Sequence, residues 1–271
     1  MSTDSVSKST VHPRNEAAEG TWRSILVVFG PSILLDLLLA ASVITTALGN
    51  LSDPHRGRVA RLVRWAASGG ALLPWAYVLI VRPWHLRWGA TDEEVRKRLS
   101  GDELVPRPVA EMTRALTINA PAKEIWPWVV QMGAGRGGLY SYDWLENLAG
   151  LGIHSAERIV PEYQDLKEGD TLPLEARSAT GPTVAELVPE RAIVLALLDP
   201  RAERSMLSWV YTLHPIDEGE TRLIFRFRLD AAPRWVWGLA YPLFVEIPHF
   251  VMERKMMLGI RERAERARMS R

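Results

Sequence analysis

An α+β domain preceded by an apolar helical hairpin is the architecture this sequence predicts, and three observations predict it. Two long apolar stretches, Ser24–Leu48 and Leu62–Val81, come before residue 90. Beyond residue 110 the hydrophobic period runs from alternation to 3–4 spacing and back to alternation, through segments separated by Gly, Pro and Asp turn residues. A long helical pattern then closes the chain. Strands and helices are segregated rather than interleaved as βαβ units, which is the α+β arrangement.

The composition sets limits. A chain of 271 residues has room for one domain and an appendage. Its formal net charge is +1, and no Lys/Arg run interleaves with aromatics, so the broad positive field of a nucleic-acid binder is missing. Cysteine is absent, which excludes disulfides, zinc-thiolate centres and thiol nucleophiles. The 11 tryptophans suit a large apolar core, a ligand cavity or a membrane interface.

In chain order, residues 1–21 are polar and read as a disordered tail. Residues 22–89 read as a two-helix transmembrane hairpin. Ser24–Leu48 carries one charge, Asp36, and one proline, Pro31, over a length that suits a span of about 20 residues. A cleaved signal fits less well, because a second apolar segment follows. In that segment Arg64 sits in the first turn and snorkels. Gly69, Gly70 and Pro74 are tolerated in lipid, and Trp65, Trp75, Trp84 and Trp88 fall near the interfaces. The alternative is a pair of buried helices in a soluble protein. Lys8, Arg14, Arg23, Arg82, Arg87, Arg96, Lys97 and Arg98 on the flanks outnumber Arg56, Arg58, Arg61 and Arg64 in the loop. The expectation is therefore a cell-membrane protein with two spans and its soluble domain in the cytoplasm, although the dense arginine loop argues the other way. Asp36 is costly in lipid unless it is paired.

Residues 90–110 read as a charged, proline-bearing linker, and residues 111–271 as the folded domain. Met112–Ala120 alternates and predicts a strand. Ile125, Trp128, Val129 and Met132 give an amphipathic helix after Pro121, with Pro127 keeping it short. Ser141 as cap and Gly150 as stop bracket a second short helix. Strands are predicted at Thr171–Glu175, Thr183–Val188, Ala192–Leu198, Ser205–His214 and Thr221–Leu229. Trp235–Val245 is apolar but short for a span, so it predicts an interfacial dip or a core segment. The last helix spans about Pro248 to Met269, with Phe250, Met257, Ile260, Ala264 and Ala267 on one face.

Gly133, Gly135 and Gly138 formally satisfy G-x-G-x-x-G. A dinucleotide fingerprint needs a strand before those glycines and a long helix after them, inside a βαβ unit. Here a helix precedes and hairpins follow, so the glycines are read as a sharp turn, and no cofactor is expected. TINAPAKEIWPWVVQMG (117–133) resembles the opening strand and first helix of the START-like, or SRPBCC, superfamily of lipid-transfer domains, plant allergen-type proteins and polyketide cyclases. GLYSYDWLENLAGLGIHSAERIVPEYQDLKEGD (138–170) and HFVMERKMMLGIRERAE (249–265) resemble segments of a bacterial, membrane-associated subgroup. The resemblance covers residues 111–268. It implies a helix-grip fold, in which an antiparallel sheet curves around the long C-terminal helix with an apolar cavity between them.

Several residues are candidates for lining such a cavity. Tyr140, Tyr142 and Trp144 form the densest aromatic set, as lid or as packing core. His154 and Glu157 form an H-x-x-E pair, and His249 and Glu253 share a helix face at i,i+4. These give a polar ligand contact or an acid–base pair, and no metal signature is present. Arg226 and Arg228 share a strand face, and bind an anionic headgroup if that face lines the cavity. Trp209 sits on the neighbouring strand, and Met252, with Met256 and Met257, on the last helix. The expected function is a membrane-anchored domain that binds or transports a lipid- or isoprenoid-like small molecule. Its expected partners are the bilayer and that ligand, with no nucleic acid. The alternatives are a cyclase- or hydrolase-like enzyme using His154, Glu157, Tyr142 or His249, and an interaction module with a filled core.

Overall fold

A computed structural model describes residues 77–148, 150–199 and 204–269. The tail and residues 22–76 of the predicted hairpin lie outside these residues. No helix among the described residues is long and apolar enough to cross a membrane.

Five strands form one antiparallel sheet in the order β1-β5-β4-β3-β2: β1 (Ala110–Ile118), β2 (Thr183–Val188), β3 (Ala192–Asp199), β4 (Arg204–Pro215) and β5 (Thr221–Leu229). Helices α1 (Arg82–Leu86) and α2 (Asp92–Arg96) precede β1. Between β1 and β2 come α3 (Ala122–Val130) and α4 (Asp143–Leu148). Helix α5 (Arg234–Ala240) runs through a π-helical turn, Tyr241–Val245, into α6 (Glu246–Met269). This is the helix-grip arrangement. The strand predicted at Thr171–Glu175 is reduced to a bridge between Thr171 and Thr183. Ser141 does not cap α4; its hydroxyl donates to the Met252 carbonyl on α6 (3.1 Å).

Alternation decides the two faces of the sheet. Leu195, Tyr211, Leu223, Phe225, Phe227 and Leu229 face α6 and join the main core with Met257, Ile260 and Ala264. Ala115, Val194, Val210 and Ile224 face the other way and pack with Leu99. Residues 90–110 are therefore not a free linker. They fold across the back of the sheet, where Leu99 and Val105 are buried. A capping box at Thr91 and Glu94 starts α2, and Glu94 also receives Arg222 (2.7 Å).

The glycine stretch is a turn. Gly133 and Gly138 exchange backbone hydrogen bonds at 3.0 Å, closing the loop upon itself. Gly138 has φ +74°, and a Cβ there would stand 2.6 Å from the Ser155 Cα, so only glycine fits.

Arg226 and Arg228 need a correction. Both project to the back of the sheet, away from α6. Arg226 is 1% exposed and donates to Asp102 (2.7 Å), Thr113 and the carbonyls of Lys97, Glu94 and Val95. Arg228 donates to the Asp102 carbonyl (2.9 Å). Strand periodicity places them on one face but does not say which segment covers that face. Arg226→Ala leaves the carbonyls of Glu94, Val95 and Lys97 without this donor, while Asp102 keeps Arg228 Nε at 3.3 Å, so it is expected to cost about 2–4 kcal/mol in denaturant unfolding. A loss below about 1 kcal/mol would show that the 92–105 segment is not held this way.

Candidate functional site

A cavity of about 520 Å³ lies between the sheet and α6. Leu195, Trp209, Tyr211, Phe225 and Phe227 build its sheet wall. Met252 and Met256 of α6 form the opposite wall, and Trp237, Tyr241 and Phe244 of the α5–π segment close one end. Leu139, Glu146 and Leu151, around α4, close the other side. Aromatic contacts brace the wall: Tyr211 lies 4.9 Å from Phe225, and Phe227 stacks on Tyr241 at 5.9 Å. Such large, interlocked rings hold a space open that smaller side chains would let collapse.

One polar array enters this apolar space. The Tyr241 hydroxyl lies 2.6 Å from His249 Nδ1, and His249 Nε2 lies 3.4 Å from Glu253 Oε2. Behind them, Arg114 Nη1 pairs with Glu253 Oε1 at 2.7 Å. Burial, helped by the Arg114 charge, pushes His249 down to about 3, so the imidazole is neutral. Burial drives the Tyr241 phenol well up, so it keeps its proton. The phenol and Nδ1 thus share one hydrogen bond between two neutral groups, and Nε2 faces Glu253. Burial pushes the Glu253 carboxyl up, while Arg114 pulls it back down.

Glu146 is a different case. It is 1% exposed, and neither carboxylate oxygen has a hydrogen-bond partner among the described residues. Burial, with a smaller push from Asp143, raises it to about 7.

A second buried cluster lies beside the array. Glu246 accepts from Arg82 Nε (2.9 Å) and Nη2 (3.0 Å) and from the Tyr77 hydroxyl (3.0 Å). His85 Nε2 is 3.3 Å away from it. Arg114 Nε donates to the His85 carbonyl (2.8 Å), so one guanidinium joins the two clusters.

The predicted site residues separate accordingly. Trp209, His249, Met252 and Glu253 stand in the cavity wall. Tyr140 does not: it is buried beside the cavity, its hydroxyl donating to the Trp128 carbonyl (3.0 Å) with Arg263 over its ring. Tyr142 is outside the lining, and its carbonyl receives the Leu145 and Glu146 amides. Trp144 is 69% exposed. His154 is exposed, and Glu157 pairs with Arg263 and Arg266 at 2.5 and 3.0 Å. His154 and Glu157 are thus remote from His249 and Glu253. Among the described residues no group of three or more His, Cys, Asp or Glu can hold a metal ion.

Arg114, Glu146 and Tyr241 were not among the predicted residues. Arg114 leaves a signal, since it occupies the inward register of β1 between Met112 and Leu116. Tyr241 lies within a short apolar run that gives no period. Glu146 reads as a solvated charge in a helix whose Trp144 and Leu148 turn out to be the exposed residues.

No family model matches the chain, and no curated protein matches it. It is similar to the solution structure of a polyketide-cyclase-like protein from Corynebacterium glutamicum, with 17% identity, 60% of this chain and 90% of that chain covered, and a TM-score of 0.30. It is also similar to the crystal structure of a protein from Thermus thermophilus, with 15% identity, 58% and 99% covered, and a TM-score of 0.26.

Glu146 makes stability depend on pH. Its folded form binds a proton up to about pH 7, whereas in an unfolded chain it ionises near 4.5. The folded state therefore binds more protons across that window, and its contribution to stability falls as pH rises through it. Glu146→Gln removes this dependence and leaves His249 and Glu253 in place. The stability difference, variant minus wild type, is expected to grow by a few kcal/mol between pH 4.5 and 7 and then to level off. Urea titrations at a series of pH values measure it, and a flat difference would mean that Glu146 reaches water.

Proposed function

We propose that the chain is a membrane-anchored binding or transport domain for an apolar or amphipathic small molecule of lipid or isoprenoid type. The cavity carries this reading. Its volume of about 520 Å³ is in the range of small-molecule sites, and its wall is almost wholly hydrocarbon. A ligand burying about 300 Å² of apolar surface would gain about 7 kcal/mol before the costs of immobilisation.

A surface feature supports the membrane part. Trp235, Leu239, Leu243, Ile247 and Val251 recur every four residues along α5, the π turn and α6, and are 41–73% exposed. That spacing puts them on one side of the helical segment. Leu79, Ile80, Val81 and Trp84 are also exposed, and Tyr77 and Arg82 tie this strip to Glu246 at the start of α6. Leu79 to Val81 end the second apolar segment, so the predicted hairpin would deliver the domain to the bilayer with this stripe against it. Soluble surfaces seldom keep so much contiguous apolar area bare. A cytoplasmic position for the domain belongs to the same proposal and rests on the arginine count of the flanks.

The second reading is an enzyme of cyclase or hydrolase type, favoured by the Tyr241–His249–Glu253–Arg114 array. The candidates are then Glu253 as base and Tyr241 as acid, with neutral His249 between them to pass a proton. His154, Glu157 and Tyr142, outside the cavity, have no part in it.

The full chain, purified in mild detergent and examined by native mass spectrometry with lipid extraction, is expected to carry one stoichiometric compound. Leu195→Trp, which fills the cavity, is expected to lose it while staying folded. An empty wild-type protein would count against the binding reading and turn attention to turnover by the array. Because the chain has no cysteine, Leu239→Cys gives a unique labelling site. A spin label there, with the full chain in nanodiscs, is expected to be reached by oxygen and shielded from a water-soluble nickel chelate. Free access to nickel would place the stripe in water.

A further inference from the structure

We infer that the cavity selects an amphiphile whose polar end donates a hydrogen bond, an alcohol or an amine, and rejects acid and phosphate ends. This rests on the binding reading and specifies its ligand.

The argument starts from where the polar groups are and what they already do. The hydroxyls and the other ionisable groups in the cavity wall are engaged. Ser141 donates to the Met252 carbonyl, the Tyr211 hydroxyl lies 3.6 Å from the Met256 sulfur, and Tyr241 serves His249. Glu253 faces Arg114 and His249. The Glu253 oxygens also lack a hydrogen bond but have an ion pair with Arg114; among the ionisable groups of the described wall Glu146 alone has neither, although it is as buried as the core leucines. A buried carboxyl without a partner costs free energy that evolution removes easily, by substitution to leucine or glutamine. Its presence in the wall of an otherwise hydrocarbon cavity points to a partner that comes with the ligand.

The chemistry of that partner follows from charge. No lysine or arginine among the described residues lines the cavity. The nearest guanidinium, Arg114, lies behind Glu253, where it is held by Glu253, by the His85 carbonyl and by the face of Phe250. A carboxylate or phosphate end would thus enter a site with two carboxyl groups and no free cation. It would have to be protonated, or leave its charge unpaired in an apolar space. A hydroxyl needs no such cost, because it donates to one Glu146 oxygen and accepts from the acid when that is protonated. An ammonium gains more still, because it ionises Glu146 and pairs with it.

The carboxyl and imidazole groups of the described wall all belong to helices. Glu146 belongs to α4 and His249 and Glu253 to α6, whereas the sheet wall is hydrocarbon and aromatic. A ligand would rest its chain on the sheet and turn its head towards the helices.

The test uses the full chain in one detergent and five probes that share a C15 skeleton: farnesol, farnesylamine, farnesoic acid, farnesyl phosphate and farnesane. Native mass spectrometry reads the occupied fraction for wild type, Glu146→Gln and Glu146→Leu. Ratios between proteins cancel each probe's partition into the detergent. On wild type, alcohol and amine are expected to exceed acid and phosphate by about tenfold or more. Glu146→Leu is expected to abolish that preference and leave farnesane unchanged. Glu146→Gln is expected to keep the alcohol within a few-fold and to lose the amine by about tenfold, which separates the two kinds of head. Removing an unsatisfied buried carboxyl raises stability, so both variants should fold, and their thermal unfolding checks it. Equal binding of acid and alcohol, or an unaltered preference in Glu146→Leu, overturns the inference. Farnesane binding without any head preference overturns it too, but leaves the cavity reading standing. If no probe binds, farnesane included, the cavity reading itself fails and this inference fails with it.

Discussion

A single guanidinium, buried completely in the middle of β1, is the constraint around which the molecule is arranged. Arg114 is 0% exposed. Its Nη1 meets Glu253 of α6, its Nε meets the His85 carbonyl of α1, and its plane lies 4.9 Å from the Phe250 ring centroid. Sheet, terminal helix and the segment before the sheet are therefore fixed to one charge. A charge in this position is tolerable only when it is compensated, and compensation demands that Glu253 point inward. That inward carboxylate in turn places His249, one helical turn earlier, at the cavity wall with Tyr241 against it. The polar end of the cavity is thus a consequence of how the helix is docked.

The back of the sheet repeats this logic with another arginine. Arg226 is as buried as Arg114 but faces the opposite way, and its partners are backbone carbonyls of residues 94, 95 and 97 together with Asp102. Carbonyl acceptors can be supplied by any sequence, so the segment needs no special side chains to be captured. This explains how a stretch rich in charge and proline comes to be folded. It also separates two uses of arginine on adjacent strands: one organises the cavity, the other holds the cover.

That separation marks the limit of what the sequence reveals. The strand Thr221–Leu229 is legible to the residue, because strict alternation is bounded by the Asp217–Gly219 turn. Trp209, His249 and Glu253 are legible as well, since periods of two and of four place them on definite faces. A strand has two faces, however, and alternation cannot say which one is covered by a helix and which by a loop. For that reason Arg226 and Arg228 look like ligand contacts until the 92–105 segment is seen over them. Aromatic density misleads similarly at Tyr140 and Trp144, one a loop anchor and the other exposed. Glu146 is illegible because burial of a charged residue is the exception that composition argues against.

The α5–π segment links the inside of the molecule to its outside. Trp237, Tyr241 and Phe244 face the cavity, while Trp235, Leu239 and Leu243 face outward and are exposed. A helix that is apolar all round belongs between two apolar environments. The cavity supplies one of them. The other side is exposed among the described residues, and the exposed stripe continues onto α6 at Ile247 and Val251. A wall only one helix thick thus separates the cavity from the exposed stripe. Within that wall the regular helical ladder is interrupted once, by the π turn at Tyr241–Val245, which carries cavity-lining Tyr241 and Phe244 and outward Leu243 on the same five residues.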